Sequence, residues 1–294
     1  MKYHSFSAVY YSLVLFCTVI GSTVLVAEPV QTNNNDLTLN ANYQSAADKS
    51  NPFFLILHGT FASHQMEIIS SMQSLLTDEG YGSLAITLSL GEDDRSGFFD
   101  CSHTIVSTHD NAEVELGLWM KQIKSWGFTS INLVGHSRGS AQIASYAKNH
   151  NQSINKQFLI APLIWDKKYQ QDNFRSPLKL PLEDVLKKLQ ANPQMQLKNQ
   201  QVLHCTNTTV TSESFLSYYD EHPEKNTPTI IKSTTVHTKI YLGDSDPLSK
   251  NLLAQNESLE VNENINIRMI EDADHFFRDF AIEDIVSDMI DEVQ

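Results

Sequence analysis

Three separated stretches of this chain carry residue types that could cooperate in nucleophilic catalysis: Gly135-His136-Ser137-Arg138-Gly139, Gly243-Asp244-Ser245-Asp246-Pro247 and Asp272-Ala273-Asp274-His275-Phe276-Phe277. A serine hydroxyl is a poor nucleophile at neutral pH. It needs an imidazole to take its proton, and that imidazole needs a carboxylate to fix its tautomer and stabilise its charged form. Ser137, His275 and Asp246 are the candidates for these roles. Asp244 and Asp274 are rivals for the acid, but both read more simply as turn or solvated carboxylates. Asp274 also adjoins His275, and neighbouring side chains usually diverge. Attack on a carbonyl creates an oxyanion that needs donors. The N–H of Arg138, directly after the serine, is one candidate, and the N–H of Thr60 in His58-Gly59-Thr60-Phe61 is the other. His58 could itself serve as a base, but His-Gly at a strand end more commonly shapes a loop.

The surrounding pattern supplies elements able to hold these groups. Ile131-Asn132-Leu133-Val134 reads as a strand that collides with Gly-x-Ser-x-Gly and turns at once into a helical pattern, which is a nucleophile elbow. Phe53-Phe54-Leu55-Ile56-Leu57 is a continuous apolar run suited to a strand buried on both faces of a parallel sheet. Further strands are expected at Ser83–Leu88, Gln157–Ala161, Lys239–Leu242 and Ile265–Ile270, with a possible edge strand at Leu37–Asn40. Helical spacing places Ile68, Ile69, Met72, Leu75 and Leu76 on one face, and Leu116, Trp119, Met120 and Ile123 on another. A last helix closes the chain from about Asp279 to Val293. Strand and helix alternate, which argues a doubly wound, mostly parallel α/β sheet with the candidate groups at strand ends.

Composition sets the context. The chain has 294 residues, with 41% hydrophobic residues and 21 Lys and Arg against 35 Asp and Glu. Phe6 to Val26 carry no charge and lead into Leu25-Val26-Ala27, so residues 1–27 read as an export signal, with an uncleaved membrane anchor as the alternative. Its removal leaves 20 basic and 35 acidic residues, a surface unsuited to nucleic acid. The expected location is periplasmic or secreted. Two cysteines then remain, Cys101 and Cys205, and an exported chain with an even number favours a disulfide. A metal site at Asp100-Cys101-x-His103 and His204-Cys205 is the weaker reading, because zinc-ligand spacing is lacking.

Between Pro162 and about Thr235 the alternation stops. That stretch has six prolines, no segment of sheet quality, and an amphipathic helix carrying Leu182, Val185, Leu186 and Leu189 after Pro181. Residues 163–235 therefore read as a cap inserted into a core formed by 28–162 and 236–294.

Taken together, His58-Gly59-Thr60, Gly135-x-Ser137-x-Gly139, Asp246 and His275 make residues 37–294 resemble the α/β-hydrolase family. The order serine, acid, histidine is the one that fold uses. His58-Gly-Thr, Gly135-His-Ser-Arg-Gly and Asp272-Ala-Asp-His-Phe-Phe also resemble a poorly characterised group of exported bacterial α/β hydrolases. The resemblance implies a cofactor-free serine hydrolase acting on a small-molecule ester through an acyl-Ser137 intermediate. Amide or peptide cleavage by the same residues is the rival chemistry, and a non-catalytic binding protein on a retained hydrolase fold is the rival class.

Overall fold

The structure is a computed structural model that describes residues 1, 27–176, 179–222, 225–253 and 262–294. The expected export segment lies, apart from its ends, outside the described residues. Among them no helix is long and apolar enough to cross a membrane.

In chain order the elements are β1 (Glu28–Asn34), β2 (Leu37–Gln44), β3 (Phe53–Leu57), α1 (Glu67–Asp78), β4 (Ser83–Thr87), β5 (Thr104–Ile105), α2 (Asn111–Ser125), β6 (Ile131–His136), α3 (Arg138–His150) and β7 (Lys156–Ile160). Then follow α4 (Lys167–Asn173), α5 (Leu182–Gln190), β8 (Gln196–Val202), β9 (Cys205–Thr211), α6 (Ser212–Tyr219) and α7 (Thr227–Ile231). The chain closes with β10 (His237–Gly243), α8 (Pro247–Leu253), β11 (Ile265–Ile270) and α9 (Phe280–Val293).

The main sheet runs β1-β2-β4-β3-β6-β7-β10-β11. Its six strands from β4 to β11 are parallel, while β1 and β2 form an antiparallel edge hairpin. Side chains alternate across the sheet with period two, and each face has its own core. Phe53, Leu55, Leu57 and Leu133 point to the side where α2 and α3 bring Leu116, Trp119, Ile123 and Ile143. Phe54, Ile56, Val134 and Phe158 point to the other side, where α1 and α9 bring Ile69, Met72, Ile285 and Met289. The uninterrupted Phe53–Leu57 run is thus explained, since every residue in it meets a helix layer.

Register fixes what happens at the top of the sheet. Leu57 pairs with Gly135, Gly135 with Leu159, His136 with Ile160, Ile160 with Tyr241 and Gly243 with Ile270. The carboxyl ends of β3, β6, β7, β10 and β11 therefore finish nearly level, and the loops that follow them meet.

The structure corrects the sequence reading in two places. The segment between β7 and β10 carries a hairpin, β8 and β9, which extends through β5 into a three-stranded sheet. Gln196-Leu-Lys-Asn-Gln-Gln-Val is too polar for the hydrophobic period to register, and two register shifts interrupt its pairing. At the amino end, the strand expected over Leu37–Asn40 is longer and is preceded by β1 at the edge. Polar residues suit such an edge because they deter pairing with another chain. Asn35 makes the turn at φ 52°, which asparagine tolerates.

Cys101 and Cys205 are joined, with Cα atoms 5.3 Å apart, across a sequence separation of 104. The bond ties the loop before β5 to the start of β9. His204 sits beside the two sulfurs, so the Cys101, His204 and Cys205 convergence contains a disulfide rather than a pair of thiols. Closing so long a loop restricts the unfolded chain, so Cys101→Ser/Cys205→Ser should lower unfolding free energy by roughly 2–5 kcal/mol. Chemical denaturation of the oxidised protein and the double variant measures this, and coincident transitions would refute it.

Candidate active site

The site grows from the turn between β6 and α3. A Cβ on Gly139 would lie 2.4 Å from the His58 carbonyl oxygen and 2.6 Å from that of Leu57. A Cβ on Gly135 would lie 2.6 Å from the Gly139 carbonyl carbon and the Ser140 nitrogen. Only glycine fits at these two positions, and their closeness lets α3 start directly under the end of the sheet. Ser137, between them, is forced to φ 54° and ψ −120°. A non-glycine residue held there carries strain of order 1–3 kcal/mol. Its neighbours hold it by hydrogen bonds: Ser137 N–H donates to Ile160 O at 2.9 Å, and Leu163 N–H donates to Ser137 O at 3.1 Å.

His275 and Asp246 arrive on the loops after β11 and β10. Ser137 Oγ lies 3.0 Å from His275 Nε2, and His275 Nδ1 lies 2.8 Å from Asp246 Oδ2. With Nδ1 protonated, the ring donates to the carboxylate and presents Nε2 to accept from the hydroxyl. Asp246 is only 1% exposed. Burial would raise its pKa, but the bonds from His275, from Leu248 N–H at 2.9 Å and from Ser249 Oγ at 3.3 Å hold it below the ordinary carboxylate value. The carboxylate is thus ionised at neutral pH and aimed at the ring.

The two rival acids are placed elsewhere. Asp244 is exposed and accepts from the Ser245 hydroxyl at 3.2 Å. Asp274 accepts from Phe276 N–H at 2.8 Å and from Arg278 Nη1 at 2.6 Å. His58 is committed to the scaffold: its Nδ1–H donates to Gly59 O at 2.8 Å, and its Nε2 accepts from Leu88 N–H at 3.1 Å. Of the metal candidates, His103 pairs with Glu92 instead.

Thr60 and Arg138 also meet. Arg138 Nε donates to Thr60 Oγ1 at 3.1 Å, and a Cβ on Gly59 would lie 3.3 Å from that of Ser137. The Gly59-Thr60 segment therefore abuts the serine. Neither the Thr60 nor the Arg138 backbone N–H has a hydrogen-bond partner among the described residues. The first N–H groups of a helix have no intrahelical acceptor, so that of Arg138 is available to a developing negative charge.

Sequence reasoning missed the supports. His136 Nε2–H donates to the His275 carbonyl at 2.8 Å, tying the elbow to the loop after β11. Arg95 ties the loop after β4 to the one after β3, donating to Leu88 O, Gly97 O and Ala62 O. His136 lay inside the elbow motif, but its type alone could not tell support from surface.

Comparison with solved structures identifies the architecture. Est1E from Butyrivibrio proteoclasticus matches over 90% of this chain and 96% of its own, at 14% identity and a TM-score of 0.65. The chain has the α/β-hydrolase fold. Other α/β hydrolases align similarly. A putative hydrolase from Agrobacterium vitis S4 covers 92% of this chain and 100% of its own at 15% identity and a TM-score of 0.63, and a monoacylglycerol lipase from Paleococcus ferrophilus covers 87% and 98% at 15% and 0.59. No protein-family model matches the sequence, and no curated protein does. In α/β-hydrolase terms, the Ser137 turn occupies the elbow after a central strand, and His275 and Asp246 occupy strand-end loops.

Three histidines near this site are buried and neutral. Burial lowers His58 from 6.5 to about 3 and His136 to about 4, and takes His109 well below its ordinary value. Below pH 6.5 the unfolded chain binds protons at these positions while the folded chain does not, so stability falls as pH falls toward 4. Three such groups give an upper slope of about 4 kcal/mol per pH unit. Denaturation at pH 7, 6 and 5 should show a steep loss, and a flat profile would contradict the neutral assignment.

Proposed function

We propose that the chain is an exported serine hydrolase that cleaves a carboxylic ester through an acyl-Ser137 intermediate. The observation that carries this reading is the chain of contacts from Ser137 Oγ to His275 Nε2 and from His275 Nδ1 to the buried Asp246, at 3.0 and 2.8 Å. His275 takes the Ser137 proton as Oγ attacks the ester carbonyl, and Asp246 stabilises the imidazolium that forms. The backbone N–H groups of Thr60 and Arg138 receive the oxyanion. His275 returns the proton to the leaving alcohol, then activates a water that releases the acid and restores Ser137.

Residues 163–235 act in this reading as a cap over the strand ends, and the substrate is a small molecule. The uncharged stretch at Phe6–Val26 and the Cys101–Cys205 bond, which suits an oxidising compartment, support export. Likeness to esterase and lipase structures supports a hydrolase at the level of fold.

Ser137→Ala should abolish labelling by a fluorophosphonate probe and reduce ester turnover by several orders of magnitude with an unchanged far-UV spectrum. Asp246→Asn should disfavour the productive imidazole tautomer and cost up to about 10⁴ in turnover. Asp244→Asn and Asp274→Asn, whose carboxylates point elsewhere, should lose far less. Turnover of the purified variants decides the matter: substantial activity in Ser137→Ala removes the serine from its role, and near-normal activity in Asp246→Asn removes the acid.

A further inference from the structure

Two arginines are buried in this chain, each 6% exposed, and they are buried in opposite ways. Arg95 gives Nε to Leu88 O at 2.7 Å, Nη1 to Gly97 O at 2.6 Å and Nη2 to Ala62 O at 2.9 Å. Every nitrogen of that guanidinium has an acceptor. Arg138 has only the Thr60 hydroxyl for its Nε and the face of Tyr218, with 5.0 Å from Cζ to the ring centroid. Neither Nη1 nor Nη2 has an acceptor among the described residues, and Nη1 is inaccessible to solvent.

Burial lowers the Arg138 pKa, and the tyrosines beside it, Tyr218 and Tyr219, are themselves pushed up by burial and so are uncharged at neutral pH. No carboxylate among the described residues forms an ion pair with Arg138, although the chain carries 35 acidic residues. A buried cation without a counter-ion is costly, and a guanidinium whose terminal nitrogens lack acceptors is suited to a carboxylate.

Arg138 also lines a cavity of about 320 Å³. Leu163, Ile164, Phe174, Leu203 and Tyr219 supply apolar wall, and no carboxylate among the described residues lines it. The wall of the cavity adjoins the elbow through two of its lining residues, since Arg138 follows Ser137 and Leu163 N–H bonds to the Ser137 carbonyl.

We propose that this cavity selects an anionic substrate, an ester bearing a carboxylate that pairs with the Arg138 guanidinium while the ester carbonyl lies at Ser137. The proposal rests on the reading of Ser137 as nucleophile and adds the substrate class. The carboxylate can belong to the acyl part or to the alcohol part, and both are tested.

Two pairs of esters are compared by kcat/KM. The first is the p-nitrophenyl half-ester of glutaric acid against p-nitrophenyl pentanoate. The second is the pentanoate ester of 4-hydroxybenzoic acid against that of its methyl ester. The charged member should be favoured at least tenfold in one pair, Arg138→Met should reduce that ratio at least tenfold, and Arg138→Lys should restore part of it. Ratios near one in both pairs, or a preference that survives Arg138→Met, would overturn the proposal. Fluorophosphonate labelling of the unmutated protein separates the failures: a labelled enzyme without charge preference sinks the anion site alone, whereas an unlabelled, inactive protein sinks the Ser137 reading.

Binding supplies a readout independent of turnover. In the Ser137→Ala background, monomethyl glutarate should raise the melting temperature more than neutral dimethyl glutarate does, and the difference should vanish when Arg138→Met is added. Equal shifts from the two esters would overturn the anion site even in an inactive protein.

Discussion

The approach of α3 to the end of β3 is the constraint on which the rest of the site depends. Gly139 packs against the Leu57 and His58 carbonyls at a distance that leaves no room for a Cβ, so the helix begins directly beneath the strand ends. That placement puts Ser137 into a left-handed turn and directs the unpaired first N–H groups of α3 at the same spot. The turn is strained, and hydrogen bonds to Ile160 and from Leu163 hold it. Candidate nucleophile, candidate oxyanion donor and helix dipole thus follow from one steric fact.

The remaining groups depend on level strand ends. Because β7, β10 and β11 finish in register with β6, short loops suffice to bring Asp246 and His275 to Ser137. Each loop is then held by its own bonds. Asp246 accepts from Leu248 and Ser249 as well as from His275, and the His275 carbonyl accepts from His136. His136 therefore links the elbow to the histidine loop through the His275 backbone. Its depressed pKa, with burial as the main cause, keeps that link uncharged at neutral pH.

Legibility followed physical cause. The central strands, the four flanking helices and the elbow were readable because double-sided burial imposes continuous apolar runs and helical periods, and because the Gly135 and Gly139 contacts admit no other residue. Asp246 was separable from Asp244 and Asp274 by loop logic, and the geometry places it against His275. What could not be read depends on partners distant in sequence. The β8–β9 hairpin lies partly in polar residues whose burial comes from tertiary packing, so periodicity was silent. Arg138 was anticipated for its backbone N–H, whereas its side chain matters through the acceptors it lacks, and a missing acceptor leaves no mark in the sequence.

The segment between β7 and β10 and the disulfide have a joint consequence for the cavity beside Arg138. Leu203 and His204, which help to line it, form the turn between β8 and β9, and Cys205 at the start of β9 is bonded to Cys101. That wall rests on a three-stranded sheet in which β5 contributes only two residues. Such short pairing gives little hold by itself, because a small sheet needs either more strands or packing against another element. The covalent tie fixes the turn to the loop before β5, and Phe61 carries the connection onward by facing the rings of His204 and Tyr218 at 5.3 and 5.6 Å. Phe61 follows Thr60, and Tyr218 covers Arg138. The cavity wall, the candidate oxyanion loop and the buried guanidinium therefore form one packed unit, so a shift of the hairpin would disturb the serine's surroundings as well as the cavity.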